Sequence, residues 1–255
     1  MTLLSLSDVS KSFGGLTAVD GASFEVREGE LLGLAGPNGA GKTVTFDLIT
    51  GQLAPDAGRI TYDGEEITGY SPDEVARTGI GRTFQEVRVY EDLTVRQNLA
   101  FAAQRKGIVT TLGSVVPGGG GARTDLAGRA DEMLETVELE RLADQPAANL
   151  SHGQQKILAF AASLMTHPEP ELVLLDEPMA GVNPDLTDHL LERITALRDN
   201  QNKTFLVVEH DIQTIMDISD TVIGMHNGQI LATGKPETVQ QDERMIEAYL
   251  GGGQV

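Results

Sequence analysis

The chain contains no cysteine, which removes disulfides, thiolate nucleophiles and Cys-based zinc sites from consideration. It also lacks any apolar run near the ~18 residues of a membrane-spanning helix. Its first residues, MTLLSLSDVSKSF, have no basic start, no unbroken apolar stretch and no small-residue cleavage site. The expectation is a soluble, cytoplasmic chain that works at a membrane only if another protein holds it there. Positive charge is scarce as well, with 19 Lys and Arg against 38 Asp and Glu and a formal net charge of −19. Such a surface repels nucleic-acid backbones and anionic lipid alike, so no nucleic-acid partner is expected. The shortage falls mainly on lysine, six against thirteen arginines. An acidic, lysine-poor surface is compatible with a high-salt interior, where screening weakens self-repulsion.

What is present fits one large α/β domain with room for an inserted lobe in 255 residues. LLSLSDVSKSF and ASFEV read as short strands. ELLGLAGPNGAGKTVTFDLITG reads as an apolar strand, a Gly-rich turn and a helix stopped at Gly51. GRITYDGEEI predicts a strand pair turning at Asp63-Gly64, and TVIGMHNGQILATG a hairpin turning at Asn227-Gly228. ELVLLDE and TFLVVEH are strand-like, with the amphipathic helix NPDLTDHLLERITALRDN between them. From about Glu86 to Leu150 the periodicity is helical, interrupted by the Gly run in GIVTTLGSVVPGGGGARTD, which marks a surface loop. Strands alternating with helices predict a mainly parallel sheet covered on both faces, with the helical middle as an inserted lobe.

GPNGAGKT, from Gly36 through Asn38, Gly39, Ala40, Gly41 and Lys42 to Thr43, satisfies G-x-x-x-x-G-K-S/T between a strand and a helix, the setting this phosphate loop requires. Glycines let successive N–H groups turn inward toward phosphate oxygens, and the helix N-terminus adds partial positive charge. Lys42 is expected to reach the β- and γ-phosphates, and the Thr43 hydroxyl to ligate Mg²⁺. In LVLLDEP an apolar strand delivers Asp176 and Glu177 to the sheet's C-terminal edge, where open α/β folds bind ligands. Asp176 is the candidate Mg²⁺ partner, through water, and Glu177 the candidate general base.

Other residues are less telling alone. Gln85 reads as a surface glutamine that could meet Mg²⁺ or the attacking water. His210 reads as a packed histidine that could donate to a γ-phosphate, and Phe13 as a core aromatic. NLSHGQQK, at 149–156, reads as a helix cap: Ser151 is the N-cap and Gln154, three residues on, completes a capping box.

In order, however, these pieces resemble the ATP-binding subunit of an ATP-binding cassette (ABC) transporter over essentially the whole chain. Phe13 stands where that family has an adenine-stacking aromatic. The phosphate loop, Gln85, the signature LSHGQQ at 150–155, LVLLDE at 172–177, AGVN at 180–183 and the switch position His210 follow. The resemblance implies a P-loop NTPase sheet core with an antiparallel β subdomain and an inserted helical subdomain. It makes 1–255 one domain: core 1–85 and 156–234, helical insert 86–155 ending in the signature, and C-terminal helix and tail 235–255. It further implies two cassettes meeting head to tail, identical or siblings, with ATP and Mg²⁺ between the loop of one and the signature of the other. Ser151, the Gly153 amide and Gln154 would then approach a γ-phosphate held by the partner cassette. Catalytic roles fall to Glu177, His210 and Gln85, and Mg²⁺ contacts to Thr43, Gln85 and Asp176. The partners implied are two transmembrane permease subunits and, indirectly, an extracytoplasmic substrate-binding protein. Val87, Val89 and Tyr90 alternate with charges where a permease's cytoplasmic helix would dock.

Three positions depart from the family pattern: His152 for the usual second signature glycine, Asn183 for the usual Asp, and Val44 for a frequent hydroxyl residue. More narrowly, GIGRTFQEVRVYEDLTVRQNL, the segment VVEHDIQTIMDISDTVIGMHNGQILATGKPETV and terminal MIEAYLGG are similar to the ATP-binding protein of branched-chain amino acid importers. Urea-importing and lipopolysaccharide-exporting cassettes share much of that pattern. A ribosome-bound or DNA-repair cassette fits worse: the chain has one cassette, no heptads, no zinc hook and an acidic surface. A small-molecule kinase would have no use for the signature.

Overall fold

The computed structural model describes residues 1–83, 89–103, 122–209 and 211–251. The chain begins with a hairpin, β1 (Thr2–Phe13) and β2 (Leu16–Arg27), followed by β3 (Leu31–Ala35) and helix α1 (Lys42–Ile49). Next come β4 (Ala57–Tyr62), β5 (Glu65–Glu66), α2 (Pro72–Thr78) and β6 (Ile80–Arg82). Helices α3 (Val95–Ala102), α4 (Ala122–Thr136) and α5 (His152–Leu164) form the middle. β7 (Leu172–Asp176), α6 (Pro184–Gln201), β8 (Thr204–Val208), α7 (Ile212–Ile218), β9 (Thr221–His226), β10 (Gln229–Gly234), α8 (Pro236–Gln240) and α9 (Glu243–Gly251) complete it.

Two sheets result. The outer one is antiparallel, in the order β2-β1-β4-β5. The inner one runs β10-β9-β3-β8-β7-β6, parallel except for the antiparallel edge strand β10. The central strands are wholly buried, and side chains alternate between faces along each of them. Leu32, Leu34, Leu172, Leu174, Leu206 and Val208 pack with α1 and the outer sheet. Leu31, Val173, Leu175, Phe205 and Val207 pack against the helical middle and α6. Fully burying one such side chain contributes about 1.5–3 kcal/mol, which is why apolar runs rather than alternating patterns mark these strands.

Both predicted two-residue turns are present. Asp63 and Gly64 have φ of 47° and 76°, and Asn227 and Gly228 have 48° and 81°, the left-handed pairs that suit hairpins. β1 extends the predicted LLSLSDVSKSF by one residue, whereas β2, at twelve residues, is more than twice the length of the predicted ASFEV. Register shifts between Leu6 and Val9 and again between Val9 and Lys11 break the alternation that would have revealed the length of β2. Helix α5 runs unbroken from His152 to Leu164, across position 155/156 where the sequence suggests the return to the core. Among the described residues, no helix is long and apolar enough to cross a membrane.

Candidate active site

The strand order collects the chemistry on one edge. The loop after β3, the acids ending β7 and the residues following β6 and β8 all leave the C-terminal ends of adjacent parallel strands. Gln85 and His210 lie outside the described residues.

Loop 36–43 is shaped by two backbone approaches that only glycine permits. A Cβ on Gly36 (φ 157°) would stand 2.2 Å from the Met225 carbonyl oxygen, and one on Gly41 (φ 106°) 2.5 Å from that of Ala18. The loop is also stitched to both sheets, since Gly228 N–H donates to Ala40 O at 2.9 Å and Asp20 N–H to Gly228 O at 2.8 Å. Asn38, Gly39 and Thr43 are exposed at its crown, while Ala40 and Lys42 are buried. Helix α1 starts from Gly41 with no side-chain cap, leaving its first N–H groups for a ligand. Lys42 Nζ donates to the carbonyls of Gly36 (2.6 Å) and Pro37 (3.0 Å). Burial pulls its pKa down, and Glu177 and Asp176 are near enough to oppose that shift. The structure thus brings Lys42, Asp176 and Glu177 together. Behind the loop, burial raises the Tyr249 phenol of α9, and the Gly36 N–H it faces works the other way.

Asp176 is 2% exposed. Its Oδ2 accepts from Arg82 Nη2 at 2.9 Å, and Arg82 Nη1 reaches Asp47 Oδ1 at 2.5 Å and Thr50 Oγ1 at 3.1 Å. The guanidinium lies over Phe46, 5.8 Å from the ring centroid. Burial pushes the Asp176 carboxyl up, and the Arg82 hydrogen bond and charge draw it back. Among the described residues Asp176 Oδ1 is buried with no hydrogen-bond partner, an arrangement that calls for an ion or water at that oxygen. A cavity of about 20 Å³, with Thr83, Lys156, Phe160, Asp176 and Glu177 in its lining, has room for one water.

Glu177 is buried and left-handed, with φ 51°. Its N–H donates to Val208 O at 2.9 Å, and Met179 N–H donates to the buried Glu209 Oε1 at 2.6 Å. Elsewhere, Ser151 caps α5 as expected, accepting from Gln154 N–H at 3.3 Å while Gln154 Oε1 accepts from Ser151 N–H at 3.0 Å. Ser151 and His152 are exposed and Gly153 is buried. Among the described residues, no hydrogen bond or ion pair joins residues 151–154 to loop 36–43.

Phe13 is not in the core: it is 44% exposed at the tip of β1, with Lys11 Nζ 5.6 Å from its ring centroid. An exposed ring on a hairpin tip is free to stack on a flat ligand. Asn183 caps α6, accepting from Leu186 N–H at 2.9 Å. Asp and Asn cap about equally well, so this departure costs the fold little. Val44 is half-buried against the core. Val87 lies outside the described residues, Val89 packs on the helical core, and exposed Tyr90 meets exposed Phe101 edge-on at 4.7 Å. Another hollow, of 380 Å³, is lined by Asp63, Glu65 and Glu74 with Arg77 as its one cation, a net negative charge that disfavours phosphate.

A family model described as ABC transporter matches residues 19–180. The chain belongs to the ABC transporter family. As an ABC ATPase it also matches, over residues 229–255, a model described as branched-chain amino acid ATP-binding cassette transporter. It is 39% identical over 251 residues to the high-affinity branched-chain amino acid transport ATP-binding protein BraF of Pseudomonas aeruginosa, covering 98% of each chain. The ADP conformation of an ATP-binding cassette of an ABC transporter superposes with a TM-score of 0.84 at 31% identity, covering 98% of this chain and 99% of that one. A dimeric post-hydrolysis cassette bound to ADP and Pi superposes at 0.75 with 25% identity, covering 92% and 99%.

Sequence reasoning did not single out Arg82, Glu209 or Lys156 of this ABC ATPase. Arg82 carried one available signal: a cation two residues past a β-strand's start, in a chain poor in cations, invites a search for a buried acid.

Proposed function

We propose that this ABC ATPase is the energy-coupling subunit of a branched-chain amino acid importer. It hydrolyses ATP to ADP and phosphate and drives two membrane permeases supplied by an extracytoplasmic binding protein. The assignment of cargo rests on the similarity to BraF over both chains and on the match at residues 229–255. Deleting the gene is expected to abolish accumulation of labelled leucine, isoleucine or valine. Undiminished uptake, with a defect in urea import instead, overturns that cargo.

In the proposed cycle the N–H groups of 36–43 and Lys42 hold the phosphates, and Phe13 offers a face to the base. Glu177 takes the proton of the attacking water, with Gln85 and His210 beside the γ-phosphate. The donor set suits Mg²⁺. Asp176 presents one buried carboxylate oxygen, unpartnered among the described residues, and the exposed Thr43 its hydroxyl. Among the described residues no group of three or more His, Cys, Asp or Glu could hold a metal by itself, so the ion would share phosphate oxygens and water, as Mg²⁺ does. Thr43 and Asp176, with Gln85, would hold it, and when bound it would neutralise charge on the β- and γ-phosphates.

One observation carries the two-cassette arrangement: among the described residues the exposed, capped helix start at Ser151 has no bond to its own loop, so its donors are offered outward. A phosphate on the partner's loop is the ligand that a helix N-terminus prefers. Ser151→Arg is expected to bind ATP with near-normal affinity as a monomer and to fail to dimerise on size exclusion. Loss of the cap costs only about 1 kcal/mol, so the variant folds. A dimer of wild-type affinity refutes the shared site.

A further inference from the structure

Lys156 lies on the second turn of α5, five residues beyond the Ser151 cap. Its ammonium leaves the helix and donates to two backbone carbonyls of the turn following β7, that of Glu177 at 3.2 Å and that of Ala180. The ammonium also stands within electrostatic reach of the carboxylates of Glu177 and Glu209.

The turn it holds is unusual. Glu177 has φ 51°, a conformation that costs a non-glycine residue about 1–2 kcal/mol and persists only where the surroundings over-determine it. Among the contacts that do so are Glu177 N–H to Val208 O, Ala180 N–H to Glu177 O, Met179 N–H to Glu209 Oε1, and the Lys156 ammonium on both end carbonyls. The first three belong to the sheet edge or the turn itself. The Lys156 bonds join the turn to α5, the helix whose N-terminus would face the partner cassette.

We infer that Lys156 is a positioning residue for Glu177, fixing the backbone of the turn and so the direction of the carboxylate, and tying that direction to the placement of α5. This rests on the reading of Glu177 as general base. An ammonium suits the task, because three donors on one nitrogen can serve two converging carbonyls and still face a carboxylate. The link gives each cassette a mechanical connection between its two working ends. The phosphate bound at Ser151 belongs to one nucleotide, and the base held by Lys156 serves the other. Any displacement of α5 on docking is delivered to the main chain of the catalytic turn, not to a flexible side chain.

The test is ATP turnover by the full-length chain with Mg-ATP, comparing Lys156→Met, Lys156→Arg and Glu177→Gln. Methionine keeps the apolar stem of lysine and removes the donors. Lys156→Met is expected to lower kcat by about 10- to 100-fold, the scale of a sub-ångström to 1 Å misplacement of a catalytic group, with KM for ATP unchanged. Lys156→Arg should recover most of kcat. Wild-type kcat in Lys156→Met overturns the inference. So does an equal fall in kcat and nucleotide affinity, or a failure of arginine to rescue, since either makes the lysine a support of the fold alone. Wild-type turnover in Glu177→Gln instead removes the base reading, so the two failures are told apart.

Discussion

Glu177→Gln is expected to bind ATP and stop hydrolysing it. Glutamine is nearly isosteric and accepts the same left-handed backbone, so the bonds from its N–H to Val208 and from Lys156 to its carbonyl survive. What it loses is the ability to take a proton, which general-base catalysis values at about 10²–10⁴-fold in rate. The neighbouring carboxylate is badly placed to substitute, because Asp176 Oδ2 is engaged by Arg82 and its Oδ1 is the oxygen proposed to face Mg²⁺. With the chemical step blocked, the ATP-bound pair accumulates. Single-turnover hydrolysis should therefore collapse while size exclusion in saturating Mg-ATP shifts toward the dimer. Normal hydrolysis by this variant removes Glu177 from the base role.

Lys42→Ala is expected to fail one step earlier, at binding. The ammonium donates to the carbonyls of Gly36 and Pro37, so the loop is folded around the charge. Removing one partner of a buried, hydrogen-bonded charge pair costs about 2–5 kcal/mol, which is roughly 30- to 4,000-fold in Kd. The helix N-terminus that remains supplies about 0.3–1 kcal/mol and cannot compensate. Calorimetric titration with ATP measures the loss directly. Wild-type affinity in Lys42→Ala means that phosphate is not held here. The two variants separate the cycle cleanly, one binding and pairing without turnover, the other doing neither.

The parts of this machine written in adjacent residues were legible. Loop 36–43 follows from one strand, four fixed positions and one helix start, and the Ser151–Gln154 box from a three-residue spacing. The Asp63-Gly64 and Asn227-Gly228 turns follow from residues that tolerate positive φ. The central strands betrayed themselves because both faces are covered. Contacts across long stretches of chain were not legible. Arg82 meets Asp176 across 94 residues, Met179 meets Glu209 across 30, and Lys156 meets Glu177 across 21. No local periodicity encodes which cation finds which acid. Phe13 was misjudged for the opposite reason: an aromatic beside a strand usually enters the core, but the hairpin tip carries this one beyond it. The length of β2 was hidden by register shifts that reset the side-chain alternation.

The cap at Ser151 has a consequence for which side chains that position can hold. A hydroxyl owns one proton and two lone pairs, and the Gln154 N–H occupies a lone pair while leaving the proton to give away. Closing the helix and greeting an anion therefore draw on different halves of the same group, and the helix need not fray to dock. Aspartate would cap as well but arrive with the wrong sign, and alanine would do neither. An alcohol does both from one atom, where asparagine would need two atoms of a larger side chain.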